Sequence, residues 1–135
     1  MLLEIDHHSG VPIYRQIIDQ IRKLIMAGSL APGEQLMTVR DLAAGLKVNP
    51  MTVSKAYSLL EMEGLLERRR GVGLFVAELA DNRRARTSVE LIEQSLARAV
   101  ATAVQLGIRR EQVALIVDTL YAKYDSTQGS NDHEH

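Results

Sequence analysis

Apolar side chains recur at three- and four-residue steps in several stretches of this chain, and the breaks between them carry turn chemistry. In the first stretch Ile13, Ile17, Ile21, Leu24 and Ile25 form one stripe, broadened by Tyr14 and Ile18. The spacing predicts a helix from Pro12 to Ala27, with Pro12 in a first turn that has no use for its missing N–H, and Gly28 as the stop. Residues 1–11 read as a short extended lead-in with a turn at Ser9-Gly10. Leu30-Ala31-Pro32-Gly33-Glu34 is a turn, and Gln35-Leu36 a short strand. A second helix opens at Thr38, which stands three residues before Asp41 at capping-box spacing, and buries Val39, Leu42, Ala43 and Leu46. After the polar turn Lys47-Val48-Asn49, a third helix starts at Asn49-Pro50, a strong N-cap followed by the residue favoured at the first helical position. Val53, Ala56, Tyr57 and Leu60 share its inner side, while Met51, Thr52, Lys55 and Ser58 share the outer one. Gly64 closes it. The runs Leu65–Arg68 and Leu74–Ala77 around a glycine-bearing turn predict a β-hairpin.

The C-terminal pattern is different. Residues 79–87 are polar and basic, and read as a linker or as the frayed start of the next helix; Thr87 with Glu90 matches capping-box spacing, so a helix begins there at the latest. Val89, Ile92, Leu96, Ala99, Ala103 and Leu106 then follow a 3-4-3-4-3 spacing, a narrow seam of coiled-coil type that ends at Gly107. A fifth helix is expected from Arg110 to Tyr124, with Val113, Ile116, Val117, Leu120, Tyr121 and Tyr124 on one face. Residues 126–135 are polar and expected to form a disordered tail. The predicted fold is mainly α with a small β-wing: a winged helix-turn-helix over 1–78, then a two-helix dimerisation segment over 79–125.

Composition narrows the chemistry. The chain has 135 residues, one Phe and no Trp, so its core is built from Leu, Ile, Val, Ala and Met. It has no cysteine, which excludes disulfides and thiolate metal sites and suits a reducing, cytoplasmic setting. No apolar run approaches the roughly 20 residues of a membrane span, and the N-terminus lacks the features of a secretory signal. His7, His8, His133 and His135 all lie in terminal segments without acids at ligand spacing, so no metal is expected, and no other cofactor. No nucleophile elbow, His-Glu-x-x-His or paired carboxylates point to an enzyme. Net charge is −1, and residues 1–78 carry nine basic and nine acidic side chains. Phosphate attraction must therefore come from a local cluster, Arg68-Arg69-Arg70, rather than from the whole surface.

Helix, turn, helix and charged hairpin form a device that sets one helix in the major groove while the hairpin touches neighbouring backbone. On the third helix, Thr52 and Ser58 suit phosphate or base edges, Met51 a thymine methyl, and Lys55 guanine or phosphate; Asn49 stands with them at the helix start. Taken alone this is an amphipathic helix with a solvated face, but that face carries short donors and one Lys rather than a Glu/Lys mixture. Arg40, in the first turn of the second helix, is either a surface ion-pair partner or a reader near the DNA end. Strand alternation prevents all three hairpin arginines from facing one way, which favours Arg69 or Arg70 with Gly71 at the tip for phosphate or the minor groove. Gly71-Val72-Gly73 precedes no helix start, so it is no phosphate cradle. Two helices alone bury little apolar surface, and the seam of Val89, Ile92, Leu96, Ala99, Ala103 and Leu106, with Leu120, is expected to pack against a second copy. A pair of tethered half-sites also binds far more tightly than one.

From Pro12 to Val76 the sequence resembles the GntR family of bacterial transcription regulators. The carrying residues are Pro12-Ile13-Tyr14-x-Gln16-Ile17, Gly28-x-Leu30-x-Pro32-Gly33-Glu34-x-Leu36, Val39-Arg40-x-Leu42-Ala43 and Val48-Asn49-Pro50-x-Thr52-Val53. After them come Ala56-Tyr57-x-x-Leu60-Glu61-x-Glu63-Gly64-Leu65 and Arg69-Arg70-Gly71-x-Gly73-x-Phe75-Val76. The Asn-Pro-x-Thr-Val form and the short C-terminal part are similar to the YtrA-like subfamily, whose members carry only a pair of helices for dimerisation. The resemblance implies a homodimeric repressor on a palindromic operator, with Arg40, Thr52, Arg70 and Gly71 at positions where the family touches DNA. It also shows departures: Pro50 replaces a base-reading Arg of many relatives, Met37-Thr38 replaces the usual Pro-Ser, and Lys47 holds a turn position often given to Gly.

Two other readings compete. A winged-helix protein–protein module would expose an apolar or acidic face on the third helix, which Thr52, Lys55 and Ser58 argue against. A ligand-responsive regulator would hold a pocket at the C-terminal helices, where no polar cluster demands a ligand.

Overall fold

The computed structural model describes residues 1–133 in the backbone and 1–125 with their side chains. The elements in chain order are α1 (Ile13–Met26), α2 (Val39–Leu46), α3 (Pro50–Met62), β1 (Leu66–Arg69), β2 (Gly73–Val76), α4 (Asp81–Gln105) and α5 (Arg110–His133). They gather into two compact units, Met1–Leu91 and Ile92–His135, so the first ten or so residues of α4 pack with the winged unit. The tail expected over 126–135 lies outside the residues described with side chains.

In the first unit the stripe of α1 does what its period predicts: Ile17, Ile18, Ile21 and Ile25 are buried. They meet Leu42 and Ala43 of α2 and Val53, Ala56, Tyr57 and Leu60 of α3, with Leu30, Leu36, Leu65, Leu66, Leu74 and Val76 completing the core. Tyr57 brings a polar atom into this core and needs a partner for it. Its hydroxyl donates to the Met37 carbonyl at 2.8 Å, which ties α3 to the approach to α2; burial pushes its pKa well above the usual phenol value.

The hairpin is antiparallel, with Leu66 opposite Val76 and Arg69 opposite Gly73. Both strands sit one residue nearer the turn than expected. The reason is the tight loop 70–72, in which Val72 N–H donates to the Arg69 carbonyl at 3.0 Å and Gly71 takes φ 79°. A positive φ at the third turn position is what glycine supplies without strain. Gln35-Leu36 does extend this small sheet, through a bridge from Gln35 to Phe75 and a bond from Leu36 N–H to the Leu74 carbonyl at 2.8 Å.

The lead-in is held by two glutamines rather than by strand pairing. The Gln20 carboxamide accepts from Glu4 N–H at 2.9 Å and donates back to the Glu4 carbonyl at 2.6 Å. Gln16 does the same for Asp6, at 2.9 and 3.0 Å, and also donates to the Val11 carbonyl at 2.9 Å. Leu3 and Ile5 are thereby laid against the core.

Residues 81–87 are helical, so the frayed-start reading holds and the linker reading does not. Thr87 lies inside α4 and caps nothing. Asp81 in the first turn suits the positive end of the helix dipole, and the arginines that follow are good helix formers. Arg84 Nη2 donates to the Ile25 and Met26 carbonyls at 2.8 and 3.3 Å, and Arg83 donates to the Glu63 carbonyl. These acceptors are carbonyls in the last turns of α1 and α3, where the helix itself runs out of i+4 donors.

In the second unit α4 closes at Gly107, at φ 70°, with Ile108 N–H returning to the Ala103 carbonyl at 2.9 Å. Among its described residues only Ala103 is buried. Leu106 is 69 % exposed, and Leu115 and Tyr121 are each 65 % exposed. An open groove of about 640 Å³ runs between Val100, Val104, Ile108, Val113 and Val117. Backbone helix continues past the expected stop at Tyr124 to His133; no proline stands in that stretch to end it. Among the described residues no helix is long and apolar enough to cross a membrane.

Candidate nucleic-acid interface

The third helix is set by its first residue. Asn49 is extended, and its Oδ1 accepts from Met51 N–H at 2.9 Å, so the side chain is committed to capping, with its amide group still free to donate. Pro50 follows at the first position. With that start fixed, the 3.6-residue period sends Val53, Ala56, Tyr57 and Leu60 inward and leaves Met51, Lys55 and Ser58 exposed on the far side. Thr52 lies half-buried at the edge of that face. Met51 is 78 % exposed, an unusual place for a large apolar side chain with nothing to cover it.

Helix α2 is built in the same way. Thr38 is extended and its Oγ1 accepts from Asp41 N–H at 3.1 Å. The cap turns Leu42 and Ala43 inward and Arg40 out to solvent. Lys47 adopts the left-handed conformation, φ 57° and ψ 47°, in the turn position where glycine is easier. Thus the predicted α2 and α3 residues keep their polar groups outside the core.

Lys55 is not a free-swinging cation. Its Nζ lies 3.9 Å from the ring centroid of Tyr14 on α1, and Arg15 stands 5.6 Å from the same ring. A tyrosine face attracts a cation through its quadrupole. Tyr14 therefore gathers positive charge beside the exposed face of α3.

The three hairpin arginines divide as alternation requires. Arg68 shares the inner face with Leu66 and reaches Glu61 of α3 through Nε and Nη2, both at 3.3 Å, pinning the hairpin to that helix. Arg69 points to the opposite face, with its guanidinium 4.0 Å from the Phe75 ring centroid. Arg70 and Gly71 form the exposed tip. Gly73 leaves room for Gln35, whose Nε2 would stand 2.9 Å from any Cβ there and donates to the Val72 carbonyl at 3.1 Å.

Ser54 was not singled out by sequence, yet it is exposed and lines a hollow of about 180 Å³ with Thr38, Met37, Tyr57 and Arg68. Its signal was available: position 54 is three residues after Met51 and four before Ser58, on the same face. On α4 and α5 the seam residues Val89, Ile92, Leu96, Leu106 and Leu120 are exposed in the single chain, as is Ala99, whereas Ala103 is covered by its own chain. Among the described residues His, Asp and Glu form no group of three that could hold a metal ion; His133 and His135 lie outside the residues described with side chains.

Comparison with known proteins adds an independent line. The sequence model described as "Bacterial regulatory proteins, gntR family" matches residues 13–76. The HTH-type transcriptional repressor YtrA of Bacillus subtilis is 38 % identical over 112 residues, covering 83 % of this chain and 86 % of that protein. Among solved structures, a GntR family transcriptional regulator from Listeria monocytogenes superposes with a TM-score of 0.71 at 32 % identity, over 85 % of this chain and 98 % of that one. The DNA-binding domain of AraR in complex with operator ORX1 gives a TM-score of 0.51 at 30 % identity, over 56 % of this chain and 96 % of that one.

Proposed function

We infer function from the premise that this chain belongs to the gntR family of bacterial regulatory proteins. It is a DNA-binding transcriptional regulator. It acts as a homodimeric repressor that occupies a palindromic operator in the cytoplasm, and its chemistry is binding rather than catalysis. The observation that carries this reading is α3: one row is wholly buried, while the other offers Met51, Lys55 and Ser58 to solvent beside an arginine-bearing hairpin. In the complex α3 enters the major groove. Arg40, Asn49, Thr52, Lys55 and Ser58 meet phosphates and base edges, and Met51 meets a thymine methyl. Arg69, Arg70 and Gly71 follow the adjoining backbone.

Homodimerisation follows from the apolar side chains that α4 and α5 leave uncovered. Ile92, Leu96, Leu106, Leu120 and Tyr121 are each 44–69 % exposed, and large apolar side chains exposed together mark an interaction surface. A second copy covers it and presents the two α3 helices to successive major grooves, roughly 34 Å apart.

The test is selection of bound fragments from a random DNA pool, joined to sedimentation of the free protein. An enriched inverted repeat and a dimeric mass are expected. Enrichment of nothing, or a monomer at the concentrations that bind, overturns the reading.

A further inference from the structure

We propose that Gln35 is a positioning residue for DNA binding: its carboxamide stands in for a missing piece of β-strand and holds the hairpin tip, residues 70–72, in a fixed orientation toward DNA. The inference rests on the reading above that this tip follows the DNA backbone. It goes beyond that reading, because Gln35 itself is assigned no contact with DNA.

The tip lies beyond the paired part of the hairpin. Cross-strand pairing ends at Arg69 opposite Gly73, and the bond from Val72 N–H to the Arg69 carbonyl closes the turn. Two short strands alone are marginally stable. Support comes from the segment that precedes α2. Carbonyls alternate sides along a strand, so those of Val72, Leu74 and Val76 all point toward that segment. Its backbone takes two of them: Leu36 N–H donates to the Leu74 carbonyl and Gly33 N–H to the Val76 carbonyl, each at 2.8 Å. Val76 N–H returns a bond to the Glu34 carbonyl, also at 2.8 Å. The same register would bring Thr38 N–H to the Val72 carbonyl, but Thr38 is the N-cap of α2 and the backbone turns into that helix. The Gln35 side chain supplies the donor instead, with Nε2 at 3.1 Å from the Val72 carbonyl.

The surroundings are fitted to this bond. The carboxamide lies against Gly73, at φ 143°, where a Cβ would stand 2.9 Å from Nε2. The backbone of Gln35 is itself anchored by its bridge to Phe75, the residue whose ring carries the Arg69 guanidinium. Arg70, Gly71 and Val72 are exposed, so their own side chains do not hold the tip down. With the bond in place Arg70 reaches DNA from a fixed turn. Without it the turn swings about its last strand pair, and stilling it on DNA costs conformational freedom.

The experiment uses the full-length protein with Gln35→Met, which keeps the length of the side chain and removes its N–H donor, alone and combined with Arg70→Ala. Gln35 is exposed, so the substitution leaves the core untouched. Gln35→Glu, of the same shape but with acceptors only at neutral pH, is the second variant. Affinity for a fluorescent duplex of random sequence is read by anisotropy, because the contact expected of the tip is independent of sequence. Gln35→Met is expected to weaken binding by about three- to tenfold, the cost of ordering a freed side chain on binding. In the Arg70→Ala background the same change should cost less than about twofold, since the two residues act through one contact. Amide relaxation of the free protein should show order parameters at residues 70–72 falling from about 0.85 to below about 0.6. Wild-type affinity, or unchanged order at the tip, in both Gln35 variants overturns the proposal. So does an equal loss with and without Arg70→Ala, which marks Gln35 as a folding residue only. An Arg70→Ala variant that binds as tightly as wild type overturns the reading of the tip as a DNA contact, and is recognisable because Gln35 is unchanged in it.

Discussion

The Lys55 ammonium rests 3.9 Å above the centroid of the Tyr14 ring, which joins the exposed face of α3 to α1. A lysine held in place loses less side-chain freedom on meeting a phosphate than one that swings freely. Removing the ring should therefore be felt in DNA binding although Tyr14 need not touch DNA. Tyr14→Leu, which keeps an apolar body against the core, is expected to weaken binding to operator and random DNA alike by about two- to fivefold, the value of an exposed cation–π contact. Lys55→Ala should lower the slope of log affinity against log salt by about one. Fluorescence anisotropy at several salt concentrations measures both; an unchanged slope for Lys55→Ala removes Lys55 from the phosphate contacts.

Arg40 and Thr52 stand on the helices, Arg70 at the hairpin tip, and the substitutions should separate accordingly. Arg40→Ala and Thr52→Ala are expected to reduce the ratio of operator to random-DNA affinity by about tenfold, the cost of one lost base contact. Arg70→Ala should weaken both in the same proportion. Competition gel shifts give the ratio directly, and equal losses on both DNAs for all three variants count against the division.

Leu96 is at the centre of the exposed seam on α4, 45 % exposed in the single chain. Leu96→Glu places a charge where the proposed partner packs. The variant should sediment as a monomer, keep the circular dichroism of the winged unit, and bind the palindrome no better than a lone half-site. A dimer of unchanged stability would move the interface elsewhere.

Asn49 and Thr38 each give a side-chain oxygen to a helix start. Asn49→Ala and Thr38→Ala are each expected to cost about 1 kcal/mol of stability, a fall of about 4 °C in Tm. Asn49→Ala should lose DNA affinity as well, because the cap orients the first turn of α3. Asn49→Asp separates the two effects: it keeps the cap and places a negative charge at the end of α3 proposed to face phosphate. Scanning calorimetry and anisotropy should then show stability retained and affinity lost.

Much of this was legible from spacing alone. The inner row of α3 was read residue for residue, because Asn49-Pro50 leaves the helix one place to begin and the period does the rest. The stripe of α1 and the division of Arg68 from Arg69 followed from the same kind of arithmetic. What escaped notice are bonds between side chains and distant backbone. Nothing local in residues 79–87 announces that Arg83 and Arg84 seek the ends of α3 and α1, which are 20 and 59 residues away in sequence. The polar run admits a linker reading beside the helical one because its partners are carbonyls, which every residue has and no motif marks. Gln16 and Gln20 were missed for the same reason: a glutamine that imitates a neighbouring strand is indistinguishable in sequence from one that faces water.

The uncovered seam of α4 has a consequence for dosage. When a reader must pair before it grips, the paired species grows as the square of the chain's concentration until pairing saturates. Halving the amount of protein then quarters the occupied fraction at the dilute end. In the proposed homodimer the leucines that shelter one copy behind another would thus make a gene under this regulator respond to a threshold in supply instead of following it in proportion.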